Sequence, residues 1–251
     1  MNETADASAS RVPLSVRLGN FFFRYRNGLF PVLFVVLAVT VPPARLGGDP
    51  RLDLAGVTAG VLLALAGEVV RCATIGLVYI KRGGKKRRIY AADLVTEGIY
   101  AHTRNPMYLG NLLIAAGACL AYGSPWVILG AFPFFLLVYL SITRAEEHYL
   151  RGRFGPGYEA YCRDVNRFWP RLRGLGRTLA QHRFDWKRVV NKEYGTLFQL
   201  SSGLYVLLLY KYYRLYAPSP VPERPGLLAV PFLAFLAFFG VARWMKKTGR
   251  V

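Results

Sequence analysis

Apolar residues in this chain gather in long runs that carry almost no charge. The runs cover 28–41, 54–80, 107–122, 126–143, 194–210 and 227–242. About 20 apolar residues in helical form cross the hydrocarbon of a bilayer. The pattern therefore predicts an all-α, polytopic membrane helix bundle of about six spans. The first and fifth runs are short or polar-flanked, so five spans with one re-entrant piece is the alternative count. Pro42-Pro43 ends the first run, and Gly123-Ser124-Pro125 joins the third and fourth runs. A turn that tight makes those two segments an antiparallel hairpin. The return segment then brings Glu146 and Glu147 back to the side where the hairpin began, beside Arg104 and Asn105.

The polar residues between runs carry the candidate chemistry. The stretch 98–110 reads GIYAHTRNPMYLG. Asn105 precedes a proline, which pushes it out of the α region, and Pro106 suits the first turn of a helix. Free backbone N–H groups at that helix start, with the charge of Arg104, favour an anionic ligand group. Inside the second run, Glu68 and Arg71 stand at i and i+3 on one helix face. Ionisable groups at such positions face a partner or a cavity. An internal ion pair and a pocket wall are both open readings. Downstream, Tyr158 and Tyr161 share one face of a short helix after the turn at 154–157. The stretch 178–192 has the make-up of an amphipathic surface helix.

Charge fixes the orientation. The chain has 251 residues, is 53% hydrophobic and carries a formal net charge of +19. The basic stretch 81–88, the arginines of the N-terminal segment, those after 150 and the basic C-terminal end all fall on one side of a six-span arrangement. The opposite loops hold only Arg45, Arg51, Lys211, Arg214 and Arg224 as cations, and Asp49 and Asp53 offset the first two. Basic loops stay cytoplasmic, which puts both termini and the candidate site in the cytoplasm. The basicity is thus explained by membrane topology and lipid contact. No zinc-finger spacing or basic-aromatic module points to nucleic acid. Cys72, Cys119 and Cys162 are far apart and form no C-x-x-C pair, so neither a metal site nor a disulfide framework is expected.

Several motifs in order give a sharper picture. LVTEGIYAHTRNPMYLG, then AEEHYLRGRFGPGYEAY, then VNRFWPRL resemble the membrane methyltransferases that include isoprenylcysteine carboxyl methyltransferase and phosphatidylethanolamine N-methyltransferase. The resemblance covers about 94–172. It implies an S-adenosylmethionine pocket in a cytoplasmic cap. One wall would be Gly98, Tyr100, His102, Arg104, Asn105, Pro106, Tyr108 and Gly110, and the other Glu146 and Glu147. Arg104, Asn105 and Glu147 would be the catalytic set. Tyr158, Tyr161, Arg167 and Trp169 would meet the substrate. Asn105 stands where the family commonly has histidine; it can hydrogen-bond but cannot titrate near neutral pH.

The implied activity is methyl transfer to a hydrophobic or membrane-embedded acceptor: a lipid amine, a carboxylate or a thiol. Two rivals belong to other classes. A membrane reductase of the sterol reductase type would bind NADPH, using Arg163, Arg167 and Arg171 on its phosphates, although the paired glutamates would repel them. A non-enzymatic scaffold or transporter is allowed by the spans alone. The expected organisation is a polar tail and interfacial segment (1–27), two spans and a basic loop (28–93), the methyltransferase core (94–172), an amphipathic interfacial segment (173–193), and two C-terminal spans with a basic tail (194–251).

Overall fold

The computed structural model describes residues 12–78, 82–85, 88–216 and 225–249. The polar tail at 1–11, parts of the basic loop and the proline-rich stretch at 217–224 lie outside the described residues. Helices dominate, as the apolar runs predict. In chain order they are α1 (Leu14–Thr40), α2 (Pro50–Leu77), α3 (Pro106–Tyr122), α4 (Phe132–Phe154), α5 (Pro156–Asp164), α6 (Leu175–Gln181), α7 (Trp186–Tyr216) and α8 (Pro225–Lys247). Among the described residues, three helical stretches are long and apolar enough to cross a membrane: α1, α2 and Val127–Phe154. Helix α3 is apolar but shorter.

Local chemistry sets the boundaries. The Asp49 carboxylate accepts from the backbone N–H groups of Arg51 and Leu52, and Pro50 takes the first position of α2. Gly123 ends α3 in the left-handed region at φ 79°, which lets the chain reverse at once. A π-helical turn, Val127–Ala131, precedes α4. Pro133 has no N–H to give the Leu129 carbonyl, and the wider turn lies just before it.

Two close backbone contacts hold the bundle. Helices α2 and α3 run antiparallel with Gly60 against Gly117 and Gly67 against Gly110. A Cβ at Gly60 would fall 2.5 Å from the Gly117 carbonyl oxygen, and one at Gly110 would fall 2.7 Å from that of Gly67. Small residues let membrane helices approach in this way. We expect Gly117→Ala to cost about 1–3 kcal/mol through overpacking, read as a lowered unfolding midpoint in detergent; an unchanged midpoint would show that the seam can open freely. Helix α1 packs against α4 in the same manner, with Gly19 on the backbone of Ser141. Phe23, Tyr108, Leu112, Val138, Tyr139 and Ile142 form the apolar core between α1, α3 and α4.

The structure departs from the sequence reading in several places. The fold is not purely helical: Arg82–Lys85 and Arg88–Ala91 pair as a short antiparallel hairpin, with Gly83 opposite Tyr90 and Gly84 opposite Ile89. The expected helix over 178–192 is divided between α6 and the start of α7. Asp185 breaks it, because its backbone N–H donates to the Gly76 carbonyl (2.9 Å) while its carboxylate caps Arg188 N (2.9 Å). Asp53 and Lys211, counted above as loop charges, are buried together. Lys211 Nζ lies 2.6 Å from Asp53 Oδ1 and 2.9 Å from the Ala121 carbonyl oxygen, tying α7 to the start of α2 and the end of α3.

Arg71 does pair with Glu68, at 3.6 Å, but its stronger partner is distant in sequence. Its Nη2 donates to both carboxylate oxygens of Glu193 on α7, at 2.9 and 2.8 Å, and its Nη1 donates to the Asn111 side chain. Of the two open readings, the internal ion pair describes this arrangement. It ties α2, α3 and α7 together between the two ends of the bundle.

Candidate functional site

The hairpin of α3 and α4 brings the two motif stretches together, as the tight turn requires. Gly98–Ala101 forms a 3₁₀ turn, entered through Gly98 at φ 60°. A Cβ on Gly98 would also strike the Val78 side chain, so this position suits glycine alone. Asn105 lies outside the α region (φ −132°, ψ 57°), as the following proline requires, although it stops short of the expected extended conformation, and Pro106 starts α3. Opposite them, Glu146 and Glu147 sit on α4 with exposures of only 5% and 1%.

Each glutamate has its own set of partners. Arg167 grips Glu147 with two bonds, Nε to Oε1 at 3.0 Å and Nη2 to Oε2 at 2.7 Å. Arg104 Nη2 reaches the same carboxylate at 3.6 Å, and its Nη1 contacts Cys162 Sγ. The Arg104 Nε is buried and has no hydrogen-bond partner among the described residues. Bonding to Glu147 holds the Arg167 guanidinium above its ordinary pKa, with desolvation opposing. Glu146 accepts from the Tyr108 hydroxyl at 2.5 Å, and that hydroxyl accepts from Arg26 Nη1 on α1 at 3.2 Å. Arg26 also lies 4.6 Å from the Phe23 ring centre.

The segment after α5 closes over this corner through backbone bonds. Arg104 N donates to the Asn166 carbonyl at 2.9 Å, while Thr103 Oγ1 and Asn105 Nδ2 both donate to the Arg167 carbonyl at 3.2 Å. Asn105 thus serves as a hydrogen-bond donor, a task that needs no titratable ring. His102 is buried, but it faces the following segment: Nδ1 lies 2.5 Å from the Arg171 carbonyl oxygen and Nε2 lies 2.9 Å from Thr178 Oγ1. Tyr161 donates to the Tyr100 carbonyl at 2.7 Å. Tyr158 is 1% exposed, in a cluster with Ala91, Leu150, Tyr161 and Val165. Burial raises its pKa first, and the charge of Glu147 adds to the effect.

The structure distributes the residues singled out from sequence among several places. Tyr108 pairs with Glu146, the neighbour of Glu147 on α4, and Arg104, Asn105, Glu147 and Arg167 meet in one polar corner. Gly98, Tyr100, Pro106 and Gly110 shape the backbone around it, with Gly110 turned to the α2 seam. Tyr158 and Tyr161 are built into the cap's core, and Trp169 is 81% exposed. Sequence reasoning missed Arg26 and Cys162. Arg26 looks like one more interfacial arginine, and only the packing of α1 on α4 brings it to Tyr108.

Two buried carboxylates, Glu146 and Glu147, and the partly buried guanidiniums of Arg26, Arg104 and Arg167 line this end of the hairpin. Among the described residues, no group of three or more His, Cys, Asp or Glu side chains could hold a metal ion. No solved structure matches the chain significantly. The chain is similar to the cobalt-zinc-cadmium resistance protein CzcN of Cupriavidus metallidurans, at 30% identity over 174 residues, covering 68% of this chain and 76% of that protein. It is equally similar to the nickel-cobalt-cadmium resistance protein NccN of Alcaligenes xylosoxydans xylosoxydans, at 30% over 159 residues, covering 62% of this chain and 69% of that one. The model of the phospholipid methyltransferase family matches residues 57–157, which include most of α2, the Arg104–Asn105–Pro106 corner and the glutamate pair. The chain belongs to the phospholipid methyltransferase family.

Proposed function

We propose that this protein transfers a methyl group from S-adenosylmethionine to a hydrophobic or membrane-embedded acceptor, a lipid amine, carboxylate or thiol, at the cytoplasmic rim of the α3–α4 hairpin. One observation carries the reading: Glu146 and Glu147 are buried against Arg104, Tyr108 and Arg167 instead of standing in solvent. The donor set fits such a cofactor. The unpartnered Arg104 Nε beside the α3 N-terminus suits its carboxylate, and the glutamates suit its ammonium, ribose and positive sulfur. When bound, the cofactor supplies a methyl group activated by that positive sulfur.

The chain's own work is then alignment and exclusion of water. Arg104 and Asn105 fix the corner, Arg167 holds Glu147 in place, and Tyr108 holds Glu146. An acceptor that is already a free amine, carboxylate or thiolate needs little proton transfer from the protein. The paired buried carboxylates disfavour NADPH, because its phosphates would be repelled at short range in a water-poor site. Metal resistance in the names of the two relatives is a property of those proteins. In this chain Glu146 and Glu147 are engaged with Tyr108, Arg104 and Arg167, and among the described residues no three His, Cys, Asp or Glu side chains converge on one point.

The test is calorimetric titration of the purified protein in detergent with S-adenosylmethionine and S-adenosylhomocysteine, each beside NADPH. Glu147→Gln, which keeps the shape of the side chain, should weaken cofactor binding by about tenfold or more, since a charge-assisted contact is lost, with folding retained. No binding by the unaltered protein, or undiminished binding by Glu147→Gln, would sink the proposal.

A further inference from the structure

Residues 169–187 run from the end of the cap into the start of α7, and their exposed side chains follow an unusual pattern. Trp169 is 81% exposed and Trp186 70%, with Leu172 and Leu179 also exposed between them. Arg171, Arg173, Arg177, Arg183 and Lys187 are exposed in the same stretch. Its one acidic residue, Asp185, lies 2.9 Å from Arg188. Large aromatic and aliphatic side chains beside uncompensated cations are poorly suited to bulk water, but they suit a membrane surface bearing negative charge.

The position of the segment agrees. Phe184 packs on Gly76, near the C-terminus of the candidate span α2, and Asp185 N donates to the Gly76 carbonyl. The stretch therefore lies level with the end of a membrane-crossing helix, where tryptophan prefers to sit. It is also tied to the candidate site. His102, two residues before Arg104, bonds through its ring to the Arg171 carbonyl and to Thr178, and its own carbonyl accepts from Arg171 N at 3.0 Å.

We infer that residues 169–187 form a contact surface for anionic lipid headgroups, and that occupancy of this surface orders the segment that closes the Arg104 corner. Lysine and arginine near an anionic surface each contribute about fivefold in affinity at moderate salt, and the contribution falls as salt screens it.

The experiment compares the full chain in nanodiscs of phosphatidylcholine alone with nanodiscs containing about one third phosphatidylglycerol, by amide hydrogen exchange. Exchange across 171–183 should slow by about tenfold or more in the anionic discs, and raising the salt should reverse this. The combined variant Arg171→Gln, Arg173→Gln, Arg177→Gln should behave in anionic discs as the unaltered chain does in neutral ones. Equal exchange of the unaltered chain in both lipids overturns the inference, and so does a lipid effect that survives high salt and the combined variant. Because the unaltered chain carries the main comparison, poor folding of the variant does not obscure the outcome.

Discussion

Glu147→Ala should destabilise the protein by about 3–5 kcal/mol, the usual result of stripping one partner from a buried charge pair. The carboxylate is 1% exposed and receives two bonds from Arg167 and the charge of Arg104. Its removal takes from the mostly buried Arg104 the carboxylate it pairs with and frees the Asn166–Arg171 segment on one side. The loss should therefore exceed that of Glu147→Gln, which can still accept from Arg167. Chemical unfolding in mixed micelles, followed by tryptophan fluorescence, measures both. A loss below about 1 kcal/mol for the alanine variant would mean that the Glu147 pair behaves like a solvated surface contact.

The second large effect is expected in the bundle interior. Arg71→Met removes the guanidinium that pairs with both Glu68 and Glu193, leaving two buried carboxylates without that neutralising charge. A cost of about 3–5 kcal/mol is expected again. Adding Glu68→Gln and Glu193→Gln to Arg71→Met should restore most of it, since the penalty lies in the uncompensated charges more than in the lost bonds. The same unfolding assay decides the matter. If the triple variant is no more stable than Arg71→Met alone, the cluster acts by shape and not by charge balance.

These two clusters show what the sequence could reveal. The meeting of Glu147 with Arg104 was legible because a three-residue turn leaves the hairpin a single way to fold, and because the motifs occur in order. The N-cap at Asp49 and the start of α3 at Pro106 were legible from local chemistry. Glu193 was not, since 122 residues separate it from Arg71 and it lies in a polar stretch that reads as membrane surface. Lys211 and Asp53 look like loop charges until the ends of α2 and α7 are placed side by side. The short β-hairpin was hidden because its residues read as a topology signal, and backbone pairing leaves little trace in such a basic stretch. The break at 182–185 depends on a carbonyl from α2, which periodicity along the chain cannot register.

The glycine pairing of α2 with α3 has a mechanical consequence. Interlocked main chains leave no slack for rotamer changes, so these helices move as one stiff plank. The Arg104 corner is mounted on the end of that plank and inherits its stiffness. Helix α5 and the segment after it are joined to that corner by hydrogen bonds instead: backbone bonds at Arg104 and His102, and side-chain bonds through His102, Tyr161 and Arg167. Any displacement at this corner should then fall on the α5–α6 side, which is joined to it by hydrogen bonds, and not on the interlocked α2–α3 pair.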